Sequence, residues 1–264
     1  MQRRFLIVGV CAALAASSAM AQGNGNGNSN GCSSLPSYSQ LKAALVAATN
    51  TETSGLNMNM WGTIVDRDGV VCAVAFTGTG RGSQWAGSRV ISAQKANTAN
   101  AFSLDSSAVS GGNGLALALS TANLFSAVQP GGSLFGLQES NPVDTSVAFK
   151  GPSGNYGANN DPMVGSKIGG VNVFGGGLAL YDSNHKMVGA IGVSGDTSCA
   201  DHFIAWWTRH NLSLDFLTGI GGVSGDAAHP DNIIFDIVGG VSAGGFGHPT
   251  CINTGSPAAL PAVQ

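Results

Sequence analysis

Strand-like and helical segments follow one another in an order that limits this chain to one fold class. Apolar or small residues alternate over residues 58–64, an apolar run covers 70–76, and the turn sequence Asp-Arg-Asp-Gly lies between them at 66–69. This pattern predicts a β-hairpin. Helical patterns follow, and strand-like runs return after residue 170. Because strands and helices do not alternate regularly, we predict a single α+β domain on an antiparallel sheet.

Apolar spacing gives the remaining elements. A capping box at Ser37 and Gln40 starts the first helix, and Thr197 and Ser198 cap the last one. The predicted helices cover residues 38–50, 84–102, 115–128 and 199–210. The predicted later strands cover residues 171–174, 177–181, 186–193 and, in the tail, 233–238.

The N-terminus has the three parts of a secretory signal. A cationic start at Arg3 and Arg4 precedes an apolar run over residues 5–16 and an A-x-A site that ends at Ala21. The run is shorter than the roughly 20 residues that span a bilayer, although a retained anchor is the alternative. We predict export with cleavage after Ala21 to a periplasmic or secreted location. Residues 22–34, rich in Gly and Asn, are predicted to be a flexible linker.

Charge and composition exclude several partners. Loss of Arg3 and Arg4 from 11 basic residues, against 14 acidic ones, leaves a net charge near −5 without charge runs. This argues against a nucleic-acid or anionic-membrane partner. With 43% apolar and only 9% charged residues, the chain can bury a core and is not a disordered protein.

Four cysteines remain after signal cleavage: Cys32, Cys72, Cys199 and Cys251. In an exported chain they make two disulfides, with three possible connectivities. We favour Cys32–Cys72 with Cys199–Cys251; free buried thiols are the alternative. The spacings match neither a zinc site nor covalent haem attachment.

Two long segments lack a clear pattern. Residues 129–169 are polar, Gly/Pro-rich and aperiodic, which is typical of a functional loop, a lid or an oligomer arm. Residues 216–264 form a C-terminal extension. The chain has no G-x-S-x-G elbow, no Walker A lysine and no H-E-x-x-H motif, so no hydrolase, nucleotide or metalloprotease signature is present.

Three stretches carry a family resemblance in chain order. They are GTIVDRDGVV at residues 62–71, SAQKANTANAF at 92–102 and MVGAIGVSG at 187–195, with Asp201 following the last. They resemble the GlcG/HbpS family of haem-binding, haem-degrading domains, and the likeness runs from Ser37 to Leu212. We therefore predict a family domain over residues 35–215. The insertion at 129–169 and the extension after Leu212 depart from the family pattern.

The resemblance implies a fold and a function. It implies a profilin-like or PAS-like five-stranded antiparallel sheet with helices packed on it, assembled into homo-oligomers. It implies a tetrapyrrole ligand, haem for exported members and corrinoid for some relatives, and a role in haem sequestration, sensing or peroxide-dependent breakdown. The alternatives are a small-molecule enzyme that uses the same pocket and a ligand-free oligomeric accessory domain.

A haem site needs an axial ligand, and His202 is our first choice for the iron because it follows the signature strand in the first turn of a helix. His210 lies two turns later, roughly 80° around the helix. Each histidine could equally be a surface or capping residue. The other candidate ligands are His185, His229, His248, Met58 and Met60.

Haem carboxylates need cationic or hydroxyl partners. Lys95 and Thr98 match the family helix, and Arg81 lies in the glycine-rich loop before it. Gly192, Ser194 and Gly195 precede a helix N-terminus, where free N–H groups can hold an anion, and Asp201 follows in that helix. Alternatively, those glycines only allow a tight strand-to-helix turn. Alternatively, Arg81 and Lys95 are solvated or form salt bridges with Asp66 or Asp201. The tryptophans that could stack on the ring, or else belong to the core, are Trp85, Trp206 and Trp207.

Overall fold

The computed structural model describes residues 31–108 and 116–264. The predicted signal peptide, residues 1–21, and linker residues 22–30 lie outside these ranges. Within the predicted linker, Cys32–Ser34 form a 3-10 turn, and the Cys32–Cys72 disulfide attaches that turn to a strand.

Four strands form one antiparallel sheet. They are β1 (Trp61–Asp66), β2 (Val71–Phe76), β3 (Gly177–Tyr181) and β4 (Met187–Ser194), in the order β2-β1-β4-β3. Successive side chains along a strand point to opposite faces. Ile64 and Ile191 belong to one core, whereas Val65 and Ala190 belong to another. The sheet is therefore apolar on both faces and must be covered on both.

Three longer helices provide this cover: α1 (Tyr38–Thr51), α2 (Ser88–Phe102) and α5 (Ser198–Asn211), with the short α3 (Leu137–Ser140) and α4 (Thr145–Ala148) between them. The predicted capping box at Ser37 and Gln40 is confirmed. Helices α1 and α5 pack together on one face of the sheet, and α2 covers the other. Among the described residues, no helix is long and apolar enough to cross a membrane.

The prediction of a five-stranded sheet is wrong by one strand. Residues 171–174 are not a strand, because the chain turns at Gly170 and again at Gly176, both with positive φ. Of the predicted strand 233–238, only Ile237–Val238 (β5) is paired. Its partner is Val241–Ser242 (β6), in a separate two-stranded sheet.

The predicted helix over residues 115–128 is also wrong for the residues described. Two 3-10 turns, Thr121–Leu124 and Ser126–Val128, occupy this stretch. The Thr121 hydroxyl donates to the Phe174 carbonyl and accepts from the Gly177 N–H. These bonds fasten the first turn to the start of β3.

The segment at residues 129–169 is anchored to the sheet domain rather than free. Arg89 of α2 forms a buried ion pair with Asp161, and its Nη1 donates to the Ala148 carbonyl at 2.7 Å. Met163 and Ile168 belong to the core beneath α2. The sequence pattern missed this packing because the partners lie 59 and 72 residues from Arg89.

The C-terminal extension returns to the domain and completes its core. The cysteines pair as favoured from the sequence, and Cys199–Cys251 joins α5 to the extension with a Cα–Cα distance of 6.0 Å. Arg209 forms a fully buried pair with Asp231, 2.6 Å between Nη1 and Oδ2. Ile233 enters the main core.

Gly192 of the signature strand is required by the close approach of α2 to β4. A Cβ at this position would collide with the Ser92 carbonyl and the Ala96 nitrogen. We expect Gly192→Ala to lower the free energy of unfolding by about 1–3 kcal/mol through overpacking, as measured by urea denaturation. Gly87→Ala is the matched control, because a Cβ there meets nothing within 4 Å. Equal effects of the two substitutions would contradict this account.

Candidate functional site

A cleft of about 280 Å³ opens where β4 ends, between α2 and the first turn of α5. Trp85 and Phe174 line it, and each is 49% exposed. Two larger cavities, lined elsewhere in the described structure, carry no ionisable side chain. Of these three cavities in the described part of the chain, the smaller cleft is the one lined by ionisable side chains. Its lining residues are Trp85, Ser88, Ile91, Lys95, Phe174, Ser194, Asp196, Ser198 and Asp201.

A buried ion pair lies at the inner end of the cleft. Lys95 Nζ lies 2.7 Å from Asp201 Oδ2 and donates to the Val193 carbonyl at 3.0 Å. Burial raises the pKa of Asp201 to about 6, although the charge of Lys95 opposes this rise. Burial also lowers the pKa of Lys95, against the opposing effect of Asp201. The pair therefore places a cation and an anion side by side, where water has little access.

Asp196 fixes the loop that borders the cleft. Its carboxylate accepts backbone N–H groups of Leu56 at 2.8 Å and Met58 at 2.9 Å, and its own N–H donates to Asp201 Oδ1 at 2.9 Å. The bonds to Leu56 and Met58 connect residues 140 and 138 positions apart. The end of β4, the loop and α5 are thus held as one unit.

Ser198 is bonded to a histidine of the C-terminal extension. Its Oγ lies 2.7 Å from His248 Nε2 and accepts the Gly175 N–H at 2.6 Å. Thr197, not Ser198, caps α5, since its hydroxyl accepts the Ala200 N–H. The sequence pattern predicts only a capping role for Ser198, and no local signal connects it to a partner 50 residues later.

The family follows from a comparison of the whole sequence. A family model described as haem degrading protein HbpS-like matches residues 37–207. The chain belongs to this HbpS-like family. The HbpS-like region (residues 37–207) includes β1 to β4 and most of α5, but it excludes Asp231, His248 and Cys251.

Three solved structures resemble the chain with low sequence identity and low TM-scores. Klebsiella pneumoniae protein ORFY is 24% identical with a TM-score of 0.42, and the match covers 67% of this chain and 90% of that one. PduOC in its haem complex is 22% identical with a TM-score of 0.43, covering 67% and 91%. The Streptomyces reticuli HbpS double mutant is 15% identical with a TM-score of 0.39, covering 66% and 83%. No curated protein sequence matches the chain.

Within the HbpS-like region, His202 does not line the cleft. Its side chain is fully buried, and its Nε2 lies 3.2 Å from both Asn232 Oδ1 and the Ile233 nitrogen of the extension. Burial lowers the pKa of this imidazole to about 3, so it is neutral. The extension thus encloses the residue that the sequence favoured as iron ligand, which argues against that role.

Three of the seven predicted site residues line the cleft: Lys95, Ser194 and Asp201. Thr98 and Arg81 do not line the cleft. Thr98 donates to the Gln94 carbonyl within α2, and Arg81 is exposed on its loop. His210 is partly exposed, and its Nδ1 lies 2.7 Å from Asp215. The structure therefore does not bring these last three residues to the site.

Proposed function

We propose that this protein is an exported haem-binding protein that holds one edge of the ring in the cleft. Its membership of the HbpS-like haem-degrading family supports the ligand. The observation that carries the proposal is the pair of half-exposed aromatic residues, Trp85 and Phe174, beside a buried Lys95–Asp201 pair. Large exposed apolar side chains at a cleft mark a binding site, and aromatic rings pack well against flat ligands.

The lining residues fit a flat ring that has a polar edge. Trp85, Ile91 and Phe174 supply apolar surface, while the Lys95 ammonium has three N–H donors and uses two of them within the protein. The remaining donor and the Ser88 hydroxyl would hydrogen-bond to the polar edge of the ring. The volume of about 280 Å³ is just below the roughly 300–1,000 Å³ of typical ligand pockets, so the cleft accommodates an edge and not the whole ring.

The use of bound haem is part of the same proposal. Both disulfides suit an oxidising compartment, which supports export. When bound, haem iron supplies the chemistry by which peroxide degrades the ring. Among the described residues no histidine lines the cleft, and His248 reaches it only through Ser198. We therefore favour sequestration or sensing, with peroxide-dependent breakdown as the second candidate.

An absorption titration with haem tests the proposal. We expect a Soret band on adding haem to the purified disulfide-bonded protein. Phe174→Ala and Trp85→Ala should each weaken binding by about 2–13-fold, because a stacked aromatic ring contributes about 0.5–1.5 kcal/mol. Phe149→Ala is the matched control, since Phe149 is 65% exposed but does not line the cleft.

The outcomes separate the alternatives. An unchanged haem spectrum at micromolar protein would refute the proposal, and so would equal weakening by Phe149→Ala. A spectral response to cobalamin but not to haem would assign a corrinoid ligand instead. Loss of the Soret band with peroxide, faster than for free haem, would indicate breakdown. Light scattering of the same samples tests the proposed homo-oligomer.

A further inference from the structure

We propose that Ser198 is a nucleophile activated by His248, and that the protein hydrolyses small carboxylic esters in the cleft. Ser198 lies in the first turn of α5 and lines the cleft, while His248 belongs to the extension outside the HbpS-like region. This activity does not depend on haem binding.

The hydrogen bonds give the two side chains the roles of nucleophile and base. Ser198 Oγ lies 2.7 Å from His248 Nε2, and His248 Nδ1 lies 2.7 Å from the Pro249 carbonyl oxygen. A carbonyl only accepts, so Nδ1 carries the proton and Nε2 accepts from the Ser198 hydroxyl. A base within hydrogen-bond reach of the nucleophile and oriented by a third group is the general arrangement of an activated serine.

The Cys199–Cys251 disulfide keeps the segments that carry Ser198 and His248 close together. Cys199 directly follows Ser198, and Cys251 lies three residues after His248. The imidazole also packs against the Phe125 ring, with 4.9 Å between ring centroids. His248 is only 2% exposed, whereas Ser198 reaches the cleft. The base is therefore fixed behind a nucleophile that a ligand can touch.

Backbone donors lie beside the nucleophilic oxygen. Gly175 N–H donates to Ser198 Oγ at 2.6 Å, and the Ser198 N–H lies at the first position of α5. The first N–H groups of a helix have no acceptor within the helix. Donors at such positions stabilise the negative charge that develops on a carbonyl oxygen during attack.

The reaction proceeds through an acyl-enzyme and needs only water as second reactant. Ser198 Oγ bonds to the ester carbonyl carbon while its proton passes to His248 Nε2. The bond from that carbon to the alkoxy oxygen then breaks, and the imidazolium protonates the leaving alcohol. Water adds to the acyl carbon as His248 takes its proton, the bond to Ser198 Oγ breaks, and the proton returns to the serine as the acid leaves.

The cleft selects the class of ester. Its volume of about 280 Å³ admits a small molecule, and Trp85, Ile91 and Phe174 form apolar walls. The Lys95–Asp201 pair at the inner end is already neutralised within the protein. An uncharged ester with a small apolar or aromatic group is therefore the expected substrate.

Labelling with a fluorophosphonate tests the nucleophile. We expect a covalent adduct that mass spectrometry maps to Ser198, and hydrolysis of p-nitrophenyl acetate that Ser198→Ala lowers by at least about 100-fold. Ser153→Ala, which changes an exposed serine outside the cleft, should keep both signals. Absence of an adduct on folded protein, or equal hydrolysis by Ser198→Ala, would overturn the proposal.

The pH profile and one substitution test the base. Burial has the largest effect and lowers the pKa of the His248 imidazole to about 4. The hydrogen bond to Pro249 opposes this fall, and the charge of Lys95 adds to it. The ionisable groups that act on it are Lys95 of α2 and His202 of α5. The imidazole is neutral above this pH, so labelling should stay constant from pH 8 to 5 and fall near pH 4. His248→Gln should slow labelling by about 100-fold. A wild-type labelling rate that stays constant through pH 4 would show that His248 is not the base.

Discussion

A chain that ends at Asp215 is expected not to fold, because residues 216–264 complete the core of the domain. Removal of residues 216–264 leaves Arg209 buried without Asp231, which lowers the free energy of unfolding by about 3–5 kcal/mol. It also removes the Cys199–Cys251 disulfide, at about 2–5 kcal/mol. Loss of buried Ile233 and Leu260 adds about 1.5–3 kcal/mol each. Together these losses are as large as the whole stability of a typical domain, about 5–15 kcal/mol.

Circular dichroism and urea denaturation of the truncated and full chains measure this effect. A truncated chain that unfolds in a cooperative transition at the wild-type midpoint would show that the extension is dispensable. In that case the predicted boundary at residue 215 would describe an independent domain.

A point variant separates the ion pair from the rest of the extension. Asp231→Asn should lower the free energy of unfolding by about 3–5 kcal/mol, because Arg209 stays charged in a fully buried site. Asp226→Asn is the matched control in the same extension. The Asp226 side chain is 56% exposed, and its carboxylate accepts the Ala228 N–H and pairs with His229. Asparagine keeps an acceptor oxygen there, so the urea midpoint should stay unchanged.

Lys95→Met is expected to lower the free energy of unfolding by about 3–5 kcal/mol at pH 8, because it leaves Asp201 charged and unpaired in a buried site. The folded-state pKa of Asp201, about 6 with Lys95 present, already exceeds the unfolded value of about 3.9. Removal of the cation raises it further. Folding therefore favours the protonated acid, and this stability is present below pH 4 and lost as the pH rises through the folded pKa.

Urea denaturation at pH 5 and pH 8 checks the direction of this pH dependence. The deficit of Lys95→Met relative to wild type should be smaller at pH 5, and adding Asp201→Asn should recover most of it at pH 8. Lys150→Met, a change at an exposed lysine, should leave the midpoint unchanged at both values. A deficit that is equal at the two pH values and is not relieved by Asp201→Asn would mean that lost packing, not charge, explains it.

The amino-acid sequence by itself determined several local elements and the family. The capping box at Ser37, the hairpin turn at residues 66–69 and the strand at β4 depend on neighbours a few positions apart, so a linear pattern records them. The three family stretches likewise predicted the HbpS-like membership. Lys95, from the second of those stretches, and Asp201, which follows the third, meet in the cleft.

Only the tertiary structure decided which residues face the cleft and what holds them. Glycine turns at residues 170 and 176 removed a predicted strand, and the extension enclosed His202 while it delivered His248 to Ser198. Arg89 with Asp161 and Arg209 with Asp231 are partners 72 and 22 residues apart. Such contacts depend on how the elements pack. A buried charge or hydrogen-bonding group is unfavourable unless another part of the chain supplies its partner.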